Sequence, residues 1–238
     1  MESKTKTTQN ELKIIVVGNS GTGKTCFVNK WTKGEFSESY KATIVSEFSH
    51  KVVEIKGKFY KIQVWDLAGM DQNTCITKIF AKDAHGCVVV SDITNEKTLE
   101  ATIKWKNSVD DSTRFLDGDY LPSVLVRNKV DLINNNDDNN NNEDDERVKE
   151  FAEKNNFINI FKTSAKMGIG IDECMNYLIE NIIERIEKFK EKEGKDPLIK
   201  DVKNIVIEKK KVNNNNEGNK IKGCCKIIYF TNSFRIYK

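Results

Sequence analysis

Short, nearly continuous apolar runs alternate along this chain with stretches whose apolar positions recur at helical spacing. The runs predict strands over 12–17, 46–55, 59–65, 87–92, 123–127 and 158–162, and the periodic stretches predict helices over 24–33, 73–82, 96–110, 144–155 and 170–190. Runs apolar on both faces belong in the middle of a sheet covered on both sides. Strands alternating with helices therefore predict an α/β fold built on a mostly parallel, six-stranded sheet with helices on both faces, and ligands at the carboxyl ends of the strands. The two strands around Gly57 read as a hairpin, which supplies one antiparallel edge strand.

Two stretches interrupt this rhythm. Residues 112–121 lengthen one helix-to-strand connection, and 134–142 form an Asn/Asp tract too polar to pack. Both are expected to be surface loops. Of the 238 residues, 11–187 carry the periodic pattern and form one domain; 1–10 and 188–238 are expected to be a disordered start and a flexible tail. The overall charge of +3 conceals an asymmetry: Lys188 to Lys238 holds 14 basic and 6 acidic residues, and the preceding part 25 basic and 30 acidic. A basic tail on a mildly acidic domain suits either a solvated linker or attraction to an anionic membrane face, at about 1 kcal/mol per basic residue near the surface. No stretch approaches the roughly 18 apolar residues of a membrane span. The polar start has no signal-peptide core, and six cysteines show no metal-ligand spacing, so a reduced, cytoplasmic protein is expected.

The chemistry begins where the first strand meets the first helix. Gly18-Asn19-Ser20-Gly21-Thr22-Gly23-Lys24-Thr25 matches G-x-x-x-x-G-K-[ST] in the strand-to-helix setting that the motif requires. Its glycines let backbone N–H groups turn toward the α- and β-phosphates of a nucleotide. The Lys24 ammonium reaches the terminal phosphates, and the Thr25 hydroxyl reaches Mg²⁺. Downstream, a strand leads into Asn128-Lys129-Val130-Asp131 and another into Ser164-Ala165-Lys166. A buried carboxylate at Asp131 would accept from the N1–H and the exocyclic amine of guanine, a donor pair that adenine lacks. GTP and GDP with Mg²⁺ are therefore the expected ligands.

Taken in order with Thr43 and Asp66-Leu67-Ala68-Gly69, these segments resemble the five nucleotide motifs of Ras-superfamily small GTPases. Tyr40-Lys41-Ala42-Thr43-Ile44 and Val64-Trp65-Asp66 resemble the Rab family in particular, and the stretch from Ile103 to Asp110 resembles the Rab subgroup of lysosome-related organelles. The resemblance implies a GTP/GDP switch of vesicle trafficking in which Phe36 packs on guanine and Tyr40 and Cys26 join the nucleotide site. It implies that Thr43 gives a hydroxyl to Mg²⁺ and an N–H to the γ-phosphate, that Asp66 holds Mg²⁺ through water, and that Gly69 gives a backbone N–H to the γ-phosphate. Lys24, Thr43, Gly69 and position 70 then carry catalysis, and Phe48, Trp65 and Phe80 match an aromatic triad presented to effectors. The implied partners are effectors, an exchange factor, a GTPase-activating protein and the cytosolic face of endomembranes. A monomer is expected, and no nucleic-acid partner.

The departures from the family pattern bear on mechanism. Met70 stands where the family has the glutamine that orients the attacking water; a thioether does this poorly, so slow hydrolysis is expected. The alternative is a GTP-binding adaptor with negligible turnover. A P-loop phosphotransferase is disfavoured, because no acceptor-site base or lid is visible. Lys222-Gly223-Cys224-Cys225 resembles a doubly prenylated terminus, yet thirteen residues, Lys226 to Lys238, follow it. A chain ending at Lys238 is not expected to be prenylated at Cys224 and Cys225. Either the extension is foreign to the mature protein, or its apolar residues around Tyr229 and Phe230 contact membrane or stay disordered.

Overall fold

The computed structural model describes residues 10–39, 42–44, 46–69, 74–133, 138–194 and 198. Tyr40, Met70, Cys224 and Cys225 lie outside the described residues, as do 1–9 and 199–238. The chain runs β1 (Asn10–Val17), α1 (Lys24–Lys33), β2 (Ser46–Ile55), β3 (Lys58–Leu67), α2 (Thr74–Ala81), β4 (Gly86–Asp92), α3 (Glu96–Asp110), β5 (Ser123–Asn128), α4 (Asp138–Lys154), β6 (Asn159–Thr163) and α5 (Ile171–Glu193), with a 3₁₀ turn at Val130–Leu132. Among the described residues, six strands form one sheet in the order β2-β3-β1-β4-β5-β6. Every pairing is parallel except β2 with β3, the hairpin at the edge.

The apolar pattern explains this order. Val88, Val89 and Val90 of β4 and Val124, Leu125 and Val126 of β5 are fully buried, as central strands covered on both faces must be. β2 alternates between exposed and half-buried positions, which suits an edge. α5 turns Ile171, Cys174, Met175, Leu178, Ile179, Ile182, Ile183 and Ile186 to the core, the i, i+3, i+4, i+7 stripe that drew the helix from the sequence. It packs on α1, β4 and β5, while α2 packs on α3. No helix among the described residues is long and apolar enough to cross a membrane.

Two expectations change. α4 starts at Asp138, so residues 138–142 of the Asn/Asp tract are helical and not loop. Once the amphipathic part of the helix is nucleated, each further residue adds a backbone hydrogen bond for little cost, and weak formers are carried along. The other expected loop, 112–121, is tied down. Phe115 and Leu121 are buried, Arg185 of α5 donates to both Asp117 oxygens at 2.6 Å and to the Tyr120 carbonyl at 2.9 Å, and its guanidinium lies 4.4 Å from the Phe115 ring centroid.

α3 also buries charge where a solvated face would be expected. Lys106 and Asp110 are 1% and 9% exposed, and the Lys106 ammonium donates to both Asp110 oxygens at 2.6 and 2.7 Å. The Tyr120 ring covers this pair, with Lys106 Nζ 5.1 Å and the Arg114 guanidinium 4.3 Å from its centroid. Burial raises the Asp110 carboxyl above the ordinary range, partly offset by the Lys106 hydrogen bond and charge.

Candidate nucleotide and cation site

The strand ends place the motifs on one rim. β1 stops at Val17, the loop from Gly18 follows at the carboxyl end of this central strand, and α1 begins at Lys24 behind Gly23, whose left-handed backbone (φ 88°) favours glycine. A Cβ on Gly23 would also lie 2.4 Å from Asn128 Nδ2. The loop therefore closes directly against the residue that ends β5. A cleft of about 640 Å³ opens here, lined by Ser20, Gly21, Gly23, Lys24, Thr25, Cys26, Phe36, Thr43, Gly69, Asn128, Lys129, Asp131, Ala165 and Lys166 among others. Gly18, Asn19, Thr22, Asp66 and Ser164 are not on the wall of the cleft. Of these, Asn19, Thr22, Asp66 and Ser164 hold groups that are.

At the phosphate end, Thr25, Thr43 and Asp66 converge. The Thr25 hydroxyl donates to Asp66 Oδ2 at 2.5 Å and lies 2.8 Å from the Thr43 hydroxyl. With the Thr25 proton engaged on Asp66, Thr43 is the donor in the second contact. Asp66 is buried, and its Oδ1 has no hydrogen-bond partner among the described residues. Two hydroxyls and a carboxylate with a spare buried oxygen are hard donors of the kind Mg²⁺ takes, so the residues present fit such an ion. Burial raises the Asp66 carboxyl to about 6; the Thr25 hydrogen bond and the Lys24 charge pull it down, and Glu47 pushes it up. Lys24 is 5% exposed. Burial lowers its ammonium to about 8 against the opposing pull of Asp66, and it donates to the Asn19 carbonyl at 2.9 Å. An anion at this end would meet a cation poorly compensated by the protein itself.

At the base end, Asn128 is the joint. Its Nδ2 donates to the Thr22 carbonyl at 2.9 Å, and its Oδ1 accepts from Thr163 Oγ1 at 3.1 Å and the Ala165 N–H at 3.2 Å. Ser164 Oγ donates to Asp131 Oδ1 at 2.5 Å. Asp131 stands exposed, not buried as expected from the sequence, because an acceptor for a base must face the cleft that the base would fill. Phe36 is half-buried against the core on the same cleft, and Lys166 bridges to Glu38 at 3.0 Å across its mouth. Asp66 and Asn128 belong to strands rather than to loops: their backbones still pair, Asp66 with Val16 and Glu47 and Asn128 with Asp92 and Thr163, while their side chains reach the rim.

Sequence reasoning missed three supports. Asp92, at the end of β4, pairs with Lys129 at 2.7 Å and so orients a lysine of the base motif; the parallel topology puts the ends of β4 and β5 side by side, a signal that could have found it. Trp105 of α3 donates to Asn19 Oδ1 at 2.8 Å, and Glu47 lies near Asp66. No sequence pattern announces those two. The half-buried Cys26 lines the cleft, with its thiol pushed up by burial. Phe48, Trp65 and Phe80 form one file, with ring centroids 5.1 and 5.3 Å apart; Phe48 is 49% exposed and the other two are half-buried.

A sequence model of the Ras family matches residues 13–184, a span that takes in every described motif of this cleft. The chain belongs to the Ras family. Within it, the relatives place the chain among the Rab-type small GTPases. It is 32% identical to Ras-related protein Rab-32 of Sus scrofa over 190 residues, which cover 79% of this chain and 82% of that protein. It is 33% identical to Ras-related protein Rab-32C of Dictyostelium discoideum over 183 residues, 77% and 78% of the two chains. Identity to Ras-related protein Rab-7L1 of Homo sapiens is 31% over 172 residues, 72% and 82%. This Rab-type GTPase thus carries its family's six-stranded fold, with Asp66 and Asn128 at strand ends, Thr25 in the first turn of α1 and Thr43 in the segment before β2.

Proposed function

We propose that this Rab-type protein binds GTP and GDP with Mg²⁺, hydrolyses GTP slowly, and switches trafficking effectors on and off in doing so. The observation that carries the reading is the convergence of Lys24, Thr25, Thr43, Asp66 and Gly69 at one end of a single cleft and of Asn128, Lys129, Asp131 and Lys166 at the other. Thr25, Thr43 and Asp66 would hold Mg²⁺, which when bound neutralises charge on the β- and γ-phosphate oxygens. Lys24 adds a desolvated positive charge to the phosphates, and the backbone N–H of Gly69 offers a donor where charge develops in transfer. Asp131, pinned by Ser164, accepts from guanine. Phe36 covers the base. Loss of the γ-phosphate would release the segments carrying Thr43 and Gly69, the order-to-disorder transition by which such switches signal.

Turnover is where this chain departs from its relatives' chemistry. Met70 offers no hydrogen bond able to orient the attacking water, which supports a low intrinsic rate and keeps the adaptor alternative in view. The file of Phe48, Trp65 and Phe80 is suited to anchoring effectors, and likeness to Rab-32 and Rab-7L1 supports a role at lysosome-related organelles. An exchange factor and a GTPase-activating protein complete the cycle. Attachment to endomembranes would follow if Cys224 and Cys225 are prenylated. Single-turnover GTP hydrolysis by Met70→Gln tests the reading: the rate should rise about tenfold, since a water-orienting hydrogen bond is worth roughly 1.4 kcal/mol in the transition state, without tighter binding. An unchanged rate at equal affinity would show that another group positions the water. Stimulation of the parent by a Rab-activating domain that supplies its own glutamine and arginine separates the switch from the adaptor, which would not respond.

A further inference from the structure

We propose that Trp105 of α3 is a positioning residue for phosphate binding and hydrolysis: its indole N–H, through the Asn19 side chain, holds the peptide unit between Asn19 and Ser20 in the orientation that serves both Lys24 and Gly69. The inference rests on the nucleotide reading above. The Trp105 indole donates to Asn19 Oδ1 at 2.8 Å, joining residues 86 positions apart; Trp105 is 2% exposed, so the donor is shielded from water, while Asn19 is half-buried. Neither residue belongs to the fixed positions of the phosphate motif. Asn19 occupies one of its variable places.

What makes the bond consequential is the peptide unit it steadies. The Asn19 carbonyl accepts from Lys24 Nζ at 2.9 Å and from the Thr22 hydroxyl at 2.9 Å. The N–H of the same unit, on Ser20, donates to the Gly69 carbonyl at 3.1 Å. In a planar trans peptide the carbonyl and the N–H point to opposite sides, so turning one turns the other. The fit is close as well: a Cβ on Gly69 would lie 2.3 Å from Ser20 N, 2.5 Å from the Asn19 carbonyl carbon and 2.6 Å from Lys24 Nζ. One peptide plane therefore presents the ammonium on one side and the switch glycine on the other, and α3 is its outside anchor. Without the anchor the Asn19 side chain is free to rotate, and the plane that orders Lys24 against Gly69 loses its lateral support.

The test uses the full chain loaded with mant-GDP or GTP and Mg²⁺. Trp105→Phe keeps an aromatic ring and removes the donor; Asn19→Leu removes the acceptor. Each alone should speed mant-GDP release about five- to tenfold, the effect of losing one net hydrogen bond, and should slow single-turnover hydrolysis. Each should also lower the melting temperature. The variant carrying both leaves no buried polar group unpaired, so its melting temperature should return toward the parent's while release stays fast. A purely structural role predicts that release and melting recover together, and that result would overturn the proposal, as would single variants with parental release. If the single variants do not fold, the parent decides: the Trp105 indole proton should exchange slowly with solvent in both the GDP and GTP complexes, and fast exchange in either refutes the anchor. Failure of the parent itself to bind mant-GDP would instead overturn the nucleotide reading.

Discussion

Removing the Asp110 carboxylate should destabilise the domain through a charge it leaves behind. Asp110→Ala strips the Lys106 ammonium of both its 2.6 and 2.7 Å contacts while Lys106 stays 1% exposed. Breaking one side of a buried pair typically costs about 3–5 kcal/mol. The Tyr120 ring 5.1 Å from Lys106 Nζ attracts the cation in parent and variant alike, so it leaves the difference unchanged. Even the low end of that range, about 3 kcal/mol, corresponds for a domain of this size to a drop of roughly 6–12 °C in melting temperature. Thermal unfolding by far-ultraviolet circular dichroism, at saturating GDP and Mg²⁺ to hold the binding contribution constant, measures it. The combined Lys106→Met and Asp110→Leu variant is the decisive control: a well-packed apolar pair should restore or exceed parental stability. If Asp110→Ala shifts the melting temperature by less than about 2 °C, the ammonium reaches water and the pair is not buried in solution.

Two further outcomes follow from the geometry. Asp131→Asn should weaken GTP and strengthen xanthosine triphosphate, because an amide at the cleft mouth donates where the carboxylate accepts; competition binding with both nucleotides checks it, and parental GTP affinity would sink the guanine assignment. Burial alone would raise the Asp117 carboxyl, but the hydrogen bonds and charge of Arg185 outweigh it and hold it below the ordinary range. Since its folded pKa is the depressed one, its contribution is present above the unfolded value near about 3.9 and is lost as pH falls through the lower folded value. Urea midpoints measured from pH 6 down to 2.5 should therefore separate the parent from Asp117→Asn at the upper end and bring them together at the lower end.

Most of the fold was legible because the signals were local. α1 came out at 24–33 from its helical apolar spacing behind the glycine-rich loop, and the central strands from short apolar runs rich in Val. The site was legible to the extent that its residues sit in short motifs at strand ends. What escaped was whatever depends on partners distant in the chain. Nothing local marks Lys106 and Asp110 as a buried pair, since the Tyr120 that covers them lies in a stretch expected to be a surface loop. The same loop is pinned by Arg185, 68 residues beyond Asp117. Asn19 looked like a free position of the motif until α3 brought Trp105 to it. The start of α4 was missed for a different reason: a tract too polar to pack argued for a loop, and cooperativity of the helix overrode it.

Asn128 and Asp131 sit three residues apart, yet the structure gives them unequal freedom. Asn128 is committed inward on every side, to the loop at Thr22, to Thr163 and to Ala165, with Gly23 pressed against its amide. Asp131 is held, among the described residues, by the hydroxyl of Ser164. On the proposed reading, nucleobase choice is thus written at a position that can be edited with little disturbance, and the joint beside it is closed to editing. An orthogonal version of this protein, tuned to a nucleotide the cell does not use, is reachable through Asp131 alone, whereas any attempt through Asn128 would dismantle the phosphate end along with the base end.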